Sequence, residues 1–155
     1  MTELLAPAKL TVSLRLTGVR ADGYHLIDAE MVSLDLADRL TITEGTGVVF
    51  TGPHAGLMAG ETDGTDLVSK ALRLVGRSDV RVVVQKNIPA GAGLGGGSSD
   101  AAAILRWAGF ADLEAAARLG ADVAYCLVGG RSRVRGIGEI VEPLTYREQT
   151  FTLLT

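Results

Sequence analysis

Residues 86–103 read KNIPAGAGLGGGSSDAAA, and they carry the strongest local signal in the chain. Five glycines occupy the seven positions from Gly91 to Gly97, and Ser98, Ser99 and Asp100 follow them. Glycine backbone approaches a ligand closely and adopts positive φ, while a helix N-terminus offers free N–H donors at the positive end of its dipole. We therefore predict a phosphate-binding loop that leads into an alanine-rich helix from about residue 98. A tight turn capped by serine is the alternative structural interpretation.

The residues around the glycines indicate which class of phosphate-binding loop this is. No lysine follows the last glycine, so the stretch is not a P-loop. Gly91, Gly93 and Gly96 match the G-x-G-x-x-G fingerprint, which makes a dinucleotide-binding oxidoreductase domain one alternative. That fingerprint belongs directly after the first strand of a βαβ unit. Here residues 87–89 intervene and strand-like runs come earlier in the chain, so the context does not favour this alternative.

Outward from this loop, apolar patterning predicts strands, then helices, then strands again. Residues 9–17 alternate apolar and polar side chains, which is typical of a half-buried strand with Lys9 and Thr11 on one face. Thr65 is the predicted N-cap of the first helix. This order favours an α+β fold over a regular βαβ repeat. The predicted elements are strands at 9–17, 29–36, 39–43, 47–52 and 80–85, helices at 67–75, from 98 and at 112–119, and further strands after residue 121, including 150–155.

Composition limits the kind of partner. Of the 155 residues, 47% are hydrophobic and 21% are charged, and the net charge is −3. An acidic balance argues against a nucleic-acid or anionic-membrane binder, and no apolar run approaches the ~18 residues of a membrane span. The single Cys126 cannot form an internal disulfide, and the separated His25 and His54 argue against a dedicated metal site. We therefore expect a cytoplasmic protein with a reduced thiol and a small-molecule ligand.

Four segments in order resemble the GHMP kinases (galacto-, homoserine, mevalonate and phosphomevalonate kinases). The 86–103 stretch resembles their ATP-binding loop, and the other three are APAKLTVSLRLTGVRADGYH at 6–25, LGADVAYCLVGG at 119–130 and GIGEIVEPL at 136–144. Together they are similar to the branch that phosphorylates a cytidylylated methylerythritol in non-mevalonate isoprenoid biosynthesis. The resemblance implies a mostly antiparallel sheet packed on helices, with a left-handed β-α-β crossover carrying the loop. It also implies a single ATP-binding domain over residues 1–155.

The resemblance assigns roles to individual residues. Asp122 corresponds to the aspartate that takes the proton from the substrate hydroxyl, and Lys9 to the lysine that steadies developing negative charge. Thr11, Tyr24 and His25 correspond to the acceptor site, with Tyr24 and His25 at its cytidine end. Without the resemblance, Lys9 is an exposed strand lysine and Asp122 a loop or helix-cap aspartate. The residues assigned to the nucleotide are Asp66, Lys86, Pro89, Gly91, Gly93, Leu94, Gly95, Gly96, Gly97, Ser98 and Ser99.

The implied activity is transfer of the γ-phosphate of ATP, carried with Mg²⁺, to the 2-hydroxyl of the cytidylylated methylerythritol. Phosphoryl transfer depends mainly on positioning and on neutralising charge, which agrees with a lysine and an aspartate at one site. Arg131, Arg133 and Arg135 alternate along one predicted strand. We interpret them as a solvated face, with a contact to the substrate diphosphate as the alternative.

Several features depart from the GHMP pattern. Thr11, Asp66 and Ala124 stand where the pattern has Asn, Asn and Pro, and the region between Ser99 and Asp122 is shorter. Family members continue into a second domain, of which residues 150–155 are the expected first strand. We expect the chain to lack the usual C-terminal domain, and we therefore expect weak activity of the chain alone and a homodimer through the uncovered surface. A non-catalytic nucleotide-binding or interaction domain is the alternative function.

Overall fold

The computed structural model describes residues 1–154. Within that range the chain forms a seven-stranded sheet and four α-helices. A short 3-10 turn also lies at Gly56–Met58. The strands are β1 (Thr2–Val19), β2 (His25–Glu44), β3 (Val48–Thr51), β4 (Gly60–Glu61), β5 (Val80–Gln85), β6 (Ser132–Gly136) and β7 (Ile140–Pro143), and the helices are α1 (Leu67–Leu74), α2 (Gly96–Trp107), α3 (Leu113–Leu119) and α4 (Val123–Val128).

The long strand β2 organises the sheet. It pairs with β1 along nearly its whole length, with β5 through residues 39–44, and with β6 through residues 27–31, all antiparallel. Among the named strands of residues 1–154, β3 and β5 form the parallel pair. The sheet order is β4-β3-β5-β2-β6-β7, with β1 beside β2. The prediction of a mostly antiparallel α+β fold is therefore confirmed, while the hand of the crossover stays a prediction.

The β1 strand differs from its predicted form. It begins at Thr2, and its pairing with β2 shifts register between Pro7 and Lys9, between residues 11 and 13, and between residues 16 and 18. The first irregularity leaves two consecutive residues, Ala8 and Lys9, both buried. A β-bulge produces such a pattern because it interrupts the two-residue alternation of side chains. The alternating apolar residues Val12, Leu14 and Leu16 are exposed, so the prediction of a half-buried strand is wrong over residues 12–17.

Helix α2 lies at the centre of the main core. It packs against α1, α4 and β1, and its residues 99–105 are all buried. Alanine is the smallest side chain that still favours a helix, so Ala101, Ala102 and Ala103 let α2 approach its neighbours closely. A smaller cluster forms from Ala8, Ile88 and Leu94, and it joins β1 to the segment that follows β5.

Several boundaries correct the sequence predictions. The N-cap of α1 is Asp66 and not Thr65. Residues 123–128 form α4, where strands were predicted. Residues 150–154 form no strand, which corrects the predicted 150–155 strand in the part that the structure describes, and Thr155 lies outside the described residues. Within residues 1–154, none of the helices has the length and apolarity needed to cross a membrane.

Candidate functional site

The glycine loop, residues 89–97, joins β5 to α2 and lines a cavity of about 490 Å³. Gly91, Gly93 and Gly95 have φ of +73°, +73° and +66°, which is the left-handed region that glycine enters most easily. Gly95 is the N-cap of α2, and no side chain within residues 1–154 caps that end. The first N–H groups of α2 are therefore available to an anion, as the glycine pattern predicted.

Most residues assigned to the nucleotide line this cavity. Ser99 does not line it, because its hydroxyl donates a hydrogen bond to the Pro7 carbonyl oxygen at 2.6 Å. The Leu94 side chain lies at the cavity edge but is buried against Ala8, and its carbonyl oxygen accepts from the Lys9 N–H at 2.9 Å. The predicted residues that line the cavity are Asp66, Lys86, Pro89, Gly91, Gly93, Leu94, Gly95, Gly96, Gly97 and Ser98.

The carboxylate of Asp66 is committed to the local structure of α1. One oxygen accepts from the Ser69 N–H at 2.9 Å. The other oxygen accepts from the Ser69 hydroxyl at 2.6 Å and from the Thr62 hydroxyl at 2.9 Å. Such N-cap bonds stabilise a helix by about 1 kcal/mol. Asp66 therefore has a structural role at the edge of the cavity, whatever its effect on a ligand.

Lys9 and Asp122 form an ion pair, which we call the cleft pair. The Lys9 Nζ lies 3.1 Å from Asp122 Oδ2, and it also donates to the Thr11 hydroxyl at 3.1 Å. The two side chains are 10% and 27% exposed, so the pair is largely dry but open on the aspartate side. The prediction that these residues approach each other is confirmed, although they are distant in sequence.

Local structure explains how the cleft pair forms. The β1 bulge buries Lys9, and its side chain packs on Gly95, where a Cβ atom would lie 2.7 Å from Lys9 Cγ. Asp122 is the N-cap of α4, yet within the described chain its side chain makes no capping bond. The Asp122 carboxylate is therefore available to Lys9 and to a ligand that binds beside the cleft pair.

A second charged group, the buried triad of Asp38, Lys86 and Asp100, lies beneath the glycine loop. The Lys86 ammonium forms ion pairs with Asp38 and with Asp100, the latter at 2.6 Å, and all three side chains are at least nine-tenths buried. Asp38 Oδ1 also accepts from the backbone N–H of Asn87 at 2.5 Å and of Ile88 at 2.8 Å. The Lys86 ammonium, which was assigned to the nucleotide, is thus held by two carboxylates.

Asp100 is the unusual member of the buried triad. Desolvation by burial, more than any neighbouring charge, raises the pKa of its carboxyl to about 7, while the Lys86 ammonium acts in the opposite direction. Its Oδ1 has no hydrogen-bond partner within residues 1–154. Sequence reasoning missed Asp38 altogether and treated Asp100 only as part of the helix opening. No local sequence pattern marks Asp38, because its role depends on contacts with residues 86–88, which are distant in the chain.

The residues predicted to hold cytidine lie elsewhere on the sheet. Tyr24 and His25 are exposed at the turn between β1 and β2, where the Arg20 guanidinium lies 5.5 Å from the Tyr24 ring centroid. His25 pairs with Val19, ten strand positions beyond Lys9, which is roughly 30 Å of extended chain. The structure therefore brings Thr11 to the cleft pair but leaves Tyr24 and His25 at the far end of the hairpin.

Arg133 and Arg135 of β6, and Arg131 directly before it, form ion pairs with neighbouring strands. Arg131 pairs with Glu30 at 2.6 Å, Arg133 with Asp28 at 2.6 Å, and Arg135 with Glu142 at 2.5 Å. Hydrogen bonding to Arg133 lowers the pKa of Asp28, and hydrogen bonding to Arg131 lowers that of Glu30. Arg133 and Arg135 remain 48% and 40% exposed, which agrees with a solvated face, whereas Arg131 is only 14% exposed.

Comparison with known proteins places this geometry in a family. The model of the GHMP kinases N terminal domain matches residues 66–130, which include the glycine loop, α2 and Asp122. Residues 66–130 thus match the GHMP kinase N-terminal domain, and the chain has the fold of that domain. A crystal structure of 4-(cytidine 5'-diphospho)-2C-methyl-D-erythritol kinase has a TM-score of 0.70 and 37% identity, over 92% of this chain and 55% of that one.

Curated relatives of the chain have the same kinase name as this solved structure. A 4-diphosphocytidyl-2-C-methyl-D-erythritol kinase from Paracoccus denitrificans (strain Pd 1222) is 48% identical over 144 residues, which cover 90% of this chain and 50% of the relative. One of the same name from Cereibacter sphaeroides (strain ATCC 17025 / ATH 2.4.3) is 44% identical over 154 residues, which cover 93% and 54%. The chain spans about half the length of the curated relatives it matches.

The residues present fit an ATP phosphate chain. GHMP kinases use ATP, and the left-handed glycines with the uncapped α2 N-terminus offer backbone donors to its phosphates. A Cβ atom at Gly91 or at Gly93 would meet no atom within 4 Å, so both glycines border open space. In the described part of the chain, no three His, Cys, Asp or Glu side chains are grouped to hold a metal ion. A Mg²⁺ ion fits here as one that takes its ligands from phosphates and water.

Proposed function

We propose that this GHMP domain belongs to an ATP-dependent kinase that phosphorylates the 2-hydroxyl of 4-diphosphocytidyl-2-C-methyl-D-erythritol. The cleft pair beside Gly95 is the observation that carries the proposal, since it unites a candidate base and a cation next to an anion-binding loop. The names of the relatives support the acceptor. Mg²⁺ bound with the nucleotide would neutralise charge on the phosphates.

The proposed chemistry uses both members of the cleft pair. The Asp122 carboxylate accepts the proton of the substrate hydroxyl while the hydroxyl oxygen attacks the γ-phosphorus of ATP. The bond between that phosphorus and the bridging oxygen breaks, and ADP leaves. The Lys9 ammonium, held by Asp122 and by the Thr11 hydroxyl, balances the negative charge that develops on the transferring group.

The acceptor assignments follow from the same resemblance. Thr11 acts by holding the Lys9 ammonium, through the 3.1 Å hydrogen bond to its hydroxyl. Tyr24 and His25 are proposed to hold the cytidine, since an exposed ring can stack on a base and imidazole can hydrogen-bond its edge. Their position at the hairpin turn places the proposed cytidine contact far along β1 from the cleft pair.

Nucleotide binding is the first test. MgATP at saturating concentration should raise the Tm of the 155-residue chain, because a ligand that binds the native state stabilises it. NAD at the same concentration serves as the control for a dinucleotide-binding domain. A rise with NAD and none with MgATP would contradict the proposed class of nucleotide.

Turnover is the second test, measured on the longest chain that the gene encodes. Asp122→Asn should lower kcat by roughly 10²-fold, the scale of losing a general base, and should leave MgATP affinity nearly unchanged. Asp79→Asn is the matched control, because Asp79 pairs with Arg77 on an exposed turn. Equal kcat values for Asp122→Asn and the wild type would overturn the assignment of the base.

The second candidate function is a domain that binds nucleotide without turnover. The carboxylate of Asp66 at the cavity edge favours it, because a negative charge there repels phosphates. MgATP binding combined with no phosphorylation of the acceptor by the longest chain would support this function. The predicted homodimer is tested separately by light scattering of the 155-residue chain at micromolar concentration, where a clean monomer would contradict it.

A further inference from the structure

The proposed reaction leaves the buried triad without a role. Two carboxylates share one ammonium there, and all three side chains are at least nine-tenths buried. Asp38 uses both of its oxygens, one on Lys86 and the other on the backbone that enters the glycine loop. Asp100 uses one oxygen on Lys86, and its Oδ1 has no partner in the described chain. A buried oxygen without a partner is destabilising when charged, and protonation of the carboxyl relieves this.

The buried triad is in direct contact with the floor of the glycine loop. A Cβ atom on Gly96 would lie 3.2 Å from Lys86 Nζ and 3.4 Å from Asp38 Oδ2. Gly96 is the first residue of α2, and Asp100 lies one turn further along the same helix. Asp100 also lines the cavity of the loop. The net charge of the buried triad therefore affects the electrostatic potential where the phosphates of a nucleotide would lie.

The charge count gives the triad two states. With both aspartates ionised its net charge is −1, and with one proton on Asp100 its net charge is zero. ATP phosphates carry several negative charges, so their approach favours the neutral state by Coulomb repulsion. The reverse also holds, because a protonated Asp100 makes the loop a better anion site.

The other elements packed against α2 add little charge that changes near neutral pH. Helix α4 presents Cys126, and burial raises the pKa of that thiol to about 12, so it stays neutral. Strand β1 presents Lys9, whose ammonium is directed to Asp122. Helix α1 carries Lys70 and Arg73, and both are exposed. Asp38 from β2 and Lys86 after β5 are thus the charged groups that face Asp100 directly.

We propose that Asp100 is a proton-linked positioning residue: the glycine loop binds a nucleoside triphosphate with Asp100 neutral, and the protein takes up a proton as the nucleotide arrives. This rests on the proposed function, since it needs a nucleotide in the loop. The proton comes from solvent or buffer and is released again when the nucleotide leaves. Affinity for MgATP should therefore fall as pH rises, by roughly fivefold between pH 6.5 and pH 8.

Calorimetry measures this uptake directly. MgATP is titrated into the 155-residue chain at pH 7.5 and saturating Mg²⁺, where its phosphates are fully ionised, in buffers of different ionisation enthalpy. The dependence of the heat on the buffer gives the number of protons bound, and we expect roughly half a proton per nucleotide. Asp100→Asn should abolish the uptake and flatten the pH dependence, while Asp79→Asn, on an exposed turn, should keep both.

Each outcome separates the two proposals. MgATP binding with no proton exchange in the wild type overturns the role of Asp100 and leaves the proposed function standing. Uptake that persists in folded Asp100→Asn overturns the assignment to Asp100. No MgATP binding at any pH overturns both proposals. If Asp100→Asn does not fold, carbon-13 NMR of wild-type aspartate carboxyls decides: a carboxyl that titrates near pH 7 and shifts upward with MgATP supports the proposal, and its absence overturns it.

Discussion

Lys9 and Lys86 pack against consecutive glycines of the same loop, Lys9 against Gly95 and Lys86 against Gly96. On the floor of the loop, Lys86 is enclosed by two carboxylates, and the region is closed to water. In the cleft, Lys9 has a single carboxylate, Asp122, whose side chain is 27% exposed. The two regions use the same residue types at nearly the same place in the fold.

The difference lies in what remains free. In the buried triad, the ammonium donates to two carboxylates, so its charge is already balanced within the protein. In the cleft pair, Asp122 makes no capping bond within residues 1–154 and keeps an open side. An ammonium fully engaged by buried carboxylates indicates a structural or electrostatic role. A carboxylate that is still accessible to a ligand indicates a role in catalysis. The comparison predicts that changes in the floor affect stability, whereas changes in the cleft affect turnover.

The largest expected effect comes from removing each lysine in turn. Lys86→Met leaves two buried carboxylates without their cation and should lower the free energy of unfolding by about 3–5 kcal/mol. Lys9→Met should lower it by only about 1 kcal/mol, because its partner stays partly hydrated. Urea denaturation at pH 7 measures both. Methionine keeps the unbranched stem in each variant, so the two are matched, and equal losses would contradict the comparison.

The two glycines provide the next test. Gly95→Ala places a Cβ 2.7 Å from Lys9 Cγ at a left-handed φ of +66°, and should lower the free energy of unfolding by about 1–2 kcal/mol while displacing Lys9. Gly96→Ala keeps a helical backbone and should lower it by less than about 1 kcal/mol, since its nearest neighbours are 3.2–3.4 Å away. Thermal unfolding measures the order, and a larger loss for Gly96→Ala would contradict it.

The pH dependence of the free energy of unfolding tests the protonation of Asp100 in the buried triad. Asp100 in the folded chain keeps its proton up to a pKa of about 7, against an ordinary value of 3.8. Between these values the folded state binds more protons than the unfolded state, so this group makes stability fall as pH rises from about 4 to 7, and adds no slope above that. Exposed carboxyls whose pKa is lowered, such as Asp28, act in the opposite sense and cancel in a difference between variants.

The Tm of Asp100→Asn minus that of the wild type should therefore be larger at pH 8 than at pH 5, by a few degrees. Tm is measured at both pH values in the same ionic strength. Asp79→Asn, at an exposed turn, should show no such change of sign or size with pH. A Tm difference that is the same at pH 5 and pH 8 would show that Asp100 does not titrate in this range.

The sequence predicted the glycine loop well and its floor poorly, and local physics explains both. Gly91, Gly93 and Gly95 each adopt the positive φ that made them informative. The contacts of Asp38, in contrast, reach residues 86–88 and depend on how β2 and β5 pair. No local pattern carries that pairing. From the sequence alone, an aspartate in a strand is predicted to be exposed, and only its three-dimensional contacts show otherwise.

The cleft pair was also predicted only in part from the sequence. Period-two alternation placed Lys9 and Thr11 on one face, and the hydrogen bond between them agrees. Alternation did not predict that Ala8 and Lys9 are both buried, because the bulge depends on pairing with β2. The role of Asp122 rests on the resemblance, because the apolar pattern after residue 121 predicts strand whereas residues 123–128 form α4.

The smallest expected effect concerns the second partner of Lys9. The Thr11 hydroxyl accepts from the Lys9 Nζ at 3.1 Å, and the buried triad has no neutral partner of this kind on its lysine among residues 1–154. Thr11→Val removes the acceptor without changing the shape and should lower the free energy of unfolding by about 0.5 kcal/mol. Thr11→Ser keeps the hydroxyl and should recover part of that loss. If Thr11→Val lowers stability by as much as Lys86→Met, then the cleft lysine is as dependent on its partners as the floor lysine, and the distinction between the two regions fails.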